Sequence, residues 1–175
     1  EPWDPGMGTN EGNIFGSAVN QGSVTYKTPA FELPMGVTAS LTADYDPQAG
    51  VAAPAPGAVG TDGASGEAYT IKLAHESGLT LGGGNMKVGN TAARVGESAA
   101  TGYAKYSNGG LTVGYQEFYY NAPSEGADTD GDGMAIAYTA GDVTISYSVM
   151  NEQTNAHGAT AALEEEEISA FQAAY

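Results

Sequence analysis

The sequence contains no cysteine, so neither a disulfide framework nor thiol chemistry is open to it. It holds five basic residues against 21 acidic ones, a formal net charge of −16. A chain so acidic repels polyanions, which argues against nucleic acid and against electrostatic docking on anionic headgroups. Histidine occurs only at His75 and His157. No Ser-His-Asp order, zinc spacing, phosphate loop or dinucleotide fingerprint accompanies them, so the chain reads as non-enzymatic and needs no cofactor. No run approaches 18 apolar residues, which rules out a transmembrane helix but not a membrane strand. The first residues are Glu1-Pro2-Trp3, without methionine or a signal peptide, and the expectation is a processed product or a piece of a longer chain.

What is present is glycine, 26 residues, and tyrosine, 11, in stretches that alternate apolar and polar. The clearest run is 35–45, where Met35, Val37, Ala39, Leu41, Ala43 and Tyr45 alternate with Gly36, Thr38, Ser40, Thr42 and Asp44. Period two is the signature of a strand with two unlike faces. Strands are expected at 23–28, 35–45, 67–76, 79–88, 98–107, 111–121, 133–140, 142–151 and 166–175, nine in all. Most are near 10 residues, long for a soluble strand and suited to a tilted strand across a bilayer, about 9–11. The prolines are read as lying outside strand interiors, as proline cannot donate to a ladder.

The connections fall into two classes. "HESGL", "SNGGL" and "TAGDV" are tight turns, whereas 46–66, 89–97, 122–132 and 152–165 are long and rich in acid. Short turns alternating with long connections is the rhythm of an up-and-down barrel. The fold expected is therefore all-β: an antiparallel up-and-down transmembrane β-barrel with short periplasmic turns and long acidic extracellular loops. The whole chain, 1–175, forms one domain, with 1–22 a loop segment and 23–175 the strands.

If the apolar parity faces lipid, the inward set is small and wettable: Thr38, Ser40, Thr42, Thr70, Thr144, Ser146 and Ser148. Lys27 and Lys72 share that inward parity, and Lys105 lies on the side of Thr101 and Tyr103. These three are the candidate pore-lining cations. Glu117, Asn85 and Lys87 break the pattern on the apolar side. Either a bulge at "GGG" (82–84) switches faces there, or these positions meet another subunit.

"DTDGDG" places Asp128, Asp130 and Asp132 two apart, like the first half of a calcium loop. Position 12 of such a loop would be Thr139 rather than glutamate, and strand patterns flank the stretch, so an EF-hand is excluded. A looser calcium site in an extracellular loop stays open beside a plain acidic loop tip.

"MGVTASLTADYDP", "TGYAKYSNGGLTVGYQEFYY" and "MAIAYTAGDVTISYSVMNE" resemble, in style, the hairpins of Gram-negative outer-membrane general diffusion porins of the alphaproteobacterial kind. That resemblance implies a 16-stranded barrel in the outer membrane, set among outer-membrane lipid and lipopolysaccharide, trimeric, and open to small hydrophilic solutes. It also implies a loop folded into the pore with carboxylates at the constriction, a part that Glu1, Asp4 and Glu11 fit by position alone. Nine strands is odd for a single-chain bacterial barrel, and open edges are not tolerated in lipid, so the chain is expected to be part of a longer porin. Two other classes stay open: a calcium-dependent surface-binding or adhesion protein, and a small structural barrel.

Overall fold

The computed structural model describes residues 24–49, 64–89, 96–121, 127–156 and 164–174. Ten strands form one antiparallel sheet: β1 (Val24–Lys27), β2 (Phe31–Leu33), β3 (Val37–Ala49), β4 (Ala64–His75), β5 (Leu79–Val88), β6 (Ser98–Asn108), β7 (Leu111–Asn121), β8 (Ala127–Ala140), β9 (Val143–Ala156) and β10 (Glu164–Ala174). From β3 to β10 each strand pairs with its neighbour in sequence, while β1 and β2 share the outer edge of β3. Among the described residues there is no α-helix and no second layer.

The expected alternation holds, and its limits are corrected in four places. A short strand, β2, sits where none was expected; three residues are too few to show a period, and a 3₁₀ turn at Pro34–Gly36 separates it from β3. Second, β3 runs on through Pro47, with the register slipping between Asp46 and Ala49. Proline there interrupts the ladder without ending the strand. Third, no bulge forms at Gly82–Gly84, because β5 stays in continuous register with β4 and β6. Asn85 and Lys87 therefore remain on the face of Leu79 and Leu81, paired with Tyr69 and Glu67. Fourth, Asp128, Asp130 and Asp132 lie in β8, not in a loop: β9 pairs with all three, and β7 extends far enough to pair with Asp130 and Asp132.

The expected closure into a barrel is not present; the sheet is open, with β1 and β10 at its edges. Topology gives one reason. β1 and β4 both run antiparallel to β3, and β10 points the same way as β4, so direct joining of the edges would be parallel pairing.

Three tight turns occupy one end. Gly109 and Gly110 both have positive φ, as a two-residue I′ hairpin needs, and Gly141 takes positive φ at the first position of its turn. Gly78 has φ 95°, and a Cβ there would lie 1.9 Å from the Ser107 carbonyl oxygen. The turn is that close because Ser107 N donates to Gly78 O at 3.0 Å. Gly78→Ala should accordingly lower stability by about 2 kcal/mol or more, read as a shift in the denaturant midpoint; an unchanged midpoint would remove the close approach.

Candidate pore wall and acidic rim

Register partners share a face, so the pairings sort every strand residue. One face carries the large apolar side chains. Of the exposed large hydrophobics, from Val24 to Phe171, all but Met35 and Ile168 are on it. The opposite face is mostly glycine, alanine, serine and threonine, and it holds most of the buried apolar residues: Ala68, Met86, Val88, Ala99 and Met150. Ala68, Met86 and Ala99 sit side by side in one register row.

The apolar band does not follow the hydrogen-bonded rows. One row runs Ala39, Leu73, Leu81, Ala104, Tyr115, Met134, Val149. In β3 the apolar stretch, Val37 to Tyr45, lies mainly on the long-connection side of that row; in β9 it runs from Val149 to Val143, toward the turns. Across the six steps from β3 to β9 its midpoint moves about five residues. With about 3.3 Å per residue and about 4.8 Å between strands, a level band then requires strands tilted by about 30°. Tilts of about 35–45° are those of outer-membrane strands.

Tyrosines mark both borders of the band with their hydroxyls turned away from it. Tyr69 donates to Glu67 at 3.2 Å and Tyr115 to Glu117 at 2.8 Å, on the long-connection side. Tyr106, near the turns, accepts from Asn108 Nδ2 at 3.1 Å. An apolar ring with a wet tip suits an interface.

Beyond the band, at the long-connection end, the acids collect on strands rather than in loops. Asp132, Asn151 and Glu167 form one row, and Asp130, Gln153 and Glu165 another; both lie on the band's face. The β9 amides thus stand between carboxylates on both sides, and Gln153 Nε2 donates to Glu165 Oε1 at 3.2 Å. A cleft of about 520 Å³ is lined by these residues together with Glu152 and Glu166. Glu152 and Glu166 are direct register partners on the opposite face. Like charges so placed repel, so Glu166→Lys should raise stability by about 0.5–1 kcal/mol; a fall in the thermal midpoint would contradict the pairing. Among the described residues no three metal-ligating side chains are gathered into a cation site. The aspartates of β8 alternate along a strand, so Asp128 and Asp132 stand about 13 Å apart, too far for all three to share one ion.

The three candidate lysines fall on the small-residue face, Lys27 and Lys72 as expected, whereas Lys87 lies on the apolar face. Lys27 pairs with Thr42, Lys72 with Ser40 and Gly82, and Lys105 with Thr80 and Gly114, so the side of Lys105 is now fixed. Cations thus sit on β1, β4 and β6, while Glu152 and Glu166 sit on β9 and β10 of the same face; Glu32, Asp44 and Asp46 are also on it, near the β1 edge. Sequence reasoning missed the aromatic lining of this face. A Cβ at Gly82 would lie 2.4 Å from the Tyr103 ring, and one at Gly131 2.6 Å from Phe118, so both rings lie across a neighbouring glycine. His75 is engaged at a turn: Ser77 N donates to Nδ1 at 3.1 Å, which leaves Nε2 protonated to donate to Met35 O at 2.9 Å. Glu1, Asp4, Glu11 and His157 lie outside the described residues.

Searches against family models, curated proteins and solved structures return no match to this chain.

Proposed function

We propose that this sheet is part of the wall of an outer-membrane diffusion porin, with the apolar face toward lipid and the threonine- and lysine-bearing face toward a water-filled pore. The observation that carries the reading is the oblique apolar band. Among the described residues nothing covers the apolar belt of this sheet, and the slant of the belt is what tilted strands in a flat bilayer need. The tyrosine borders fit the same placement. Neighbouring strands must then close the pore, since unpaired edges are costly in lipid. Trimeric assembly, small hydrophilic solutes, and contact with outer-membrane lipid and lipopolysaccharide belong to this reading. Calcium enters it as a counter-ion of the acidic rim formed by Asp128, Asp130, Asp132 and the β10 glutamates, bound weakly and without a fixed stoichiometry.

The test is reconstitution. Protein assembled in detergent with the strands that close its pore, and added to a planar bilayer, should give stepwise ohmic conductance. A chain that purifies as a detergent-free monomer, or a bilayer that stays silent, would overturn the proposal. Millimolar calcium should raise the thermal midpoint, and sodium chloride at higher ionic strength should reproduce the gain, because rim repulsion is screened by either. A saturable calcium effect that sodium cannot mimic would instead favour a calcium-dependent binding protein.

A further inference from the structure

One register row of the small-residue face runs Lys72, Gly82, Tyr103, Gln116. Gly82 is the gap in it. The nearest atoms to its missing side chain are Tyr103 Cε1 and Cζ at 2.4 Å and the hydroxyl oxygen at 2.6 Å. The phenol of Tyr103 therefore reaches from β6 over β5 toward β4, where Lys72 is the next residue in the row. Lys105 follows Tyr103 by two positions on the same face. Neither lysine has a carboxylate among its register partners, which are Ser40 and Gly82 for Lys72 and Thr80 and Gly114 for Lys105. On the other side of the ring, Gln116 Nε2 donates to Thr101 Oγ1 at 2.9 Å, and Thr101 donates onward to the Glu117 carbonyl at 2.9 Å. That chain fixes the amide and leaves its oxygen as an acceptor.

From this arrangement we infer that Tyr103 is a stacking platform for a small ring-bearing carboxylate, and that a sugar acid is the class it fits. The inference rests on the pore reading, which makes this face wet. A pyranose presents a C–H face that packs on an aromatic ring, its carboxylate is held by an ammonium, and its hydroxyls need acceptors and donors such as Gln116 and the threonines. Lysines on both sides of the platform allow the carboxylate to be handed from Lys105 to Lys72 along the wall. Gly82 is part of the site, because any side chain there would push the ring off its seat.

The test uses the full chain folded in detergent micelles, with the tyrosine ring resonances followed by NMR during titration with sodium glucuronate, glucose and sodium acetate. Glucuronate should saturate in the millimolar range with Tyr103 shifted, and glucose and acetate should each bind about tenfold more weakly, a difference of about 1.4 kcal/mol. Tyr103→Leu and Gly82→Ala should each weaken glucuronate about tenfold, and Lys72→Gln should weaken glucuronate while leaving glucose unchanged. The subsite is overturned if glucuronate binds no better than acetate, or if Tyr103→Leu, with an unaltered far-ultraviolet spectrum, binds like the wild type. Conductance is scored separately: a silent bilayer with glucuronate still shifting Tyr103 removes the pore and keeps the subsite, whereas an open channel with no such shift does the reverse.

Discussion

Ile145→Arg should cost about 2–4 kcal/mol in a bilayer, while Ser146→Arg, one residue along the same strand, should cost little. Ile145 is 46% exposed, in the middle of the β9 apolar stretch with Tyr138 and Ala173 beside it. In water an exposed isoleucine of this kind tolerates arginine and gains solubility by it. In lipid the same substitution puts a charge at the midplane. Ser146 has the opposite parity and meets Ala137 and Gln172. The pair of variants thus reads the direction of the sheet without any assumption about the pore. Folding into lipid vesicles, followed by denaturant, gives the measurement. Equal penalties for the two, or a larger one for Ser146→Arg, would reverse the assignment of the faces.

The second large effect concerns ion preference. A chain of net charge −16 with carboxylates at the ends of β8, β9 and β10 should conduct cations in preference to anions. If the small-residue face lines a pore, Lys72 opposes that preference, at a place where no carboxylate is its register partner. Lys72→Glu changes the local charge by two units. At about 8 Å in water that is worth about 1 kcal/mol, so the cation preference should rise about fivefold before screening. Reversal potentials across a salt gradient give the ratio. A wild-type channel that selects anions would contradict the charge assignment, and an indifferent Lys72→Glu would remove Lys72 from the lumen.

The strands were legible because each face has its own chemistry. Tyr147 between Ser146 and Ser148 states its parity without help, and so does Leu41 between Ser40 and Thr42. Strand ends were harder. Asp130 and Asp132 resemble loop residues, and only the length of β7 and β9 on either side makes them strand; pairing is a property of neighbours, not of the local sequence. Pro47 misled for the same reason, as β3 continues past it beside β4. The face of Lys105 needed the register of β6 with β5 and β7; those of Lys27 and Lys72 could be read from parity alone. The seat of Tyr103 on Gly82 could not, since it depends on which residue of β5 lies opposite which residue of β6, and a sequence carries no register between strands.

From β3 onward the sheet pairs only sequence neighbours, and that order has a consequence for how the sheet is made. Hairpins β4–β5, β6–β7 and β8–β9 each close on a tight turn, so each pays little loop-closure entropy and can form alone. The connections between hairpins are the slower steps. Assembly can then proceed by adding whole hairpins to a growing edge, and loss of β10 would expose β9 without breaking any pairing from β1 to β9. A sheet built this way is modular: hairpins are its units of gain and loss, and each tight-turn glycine protects one unit.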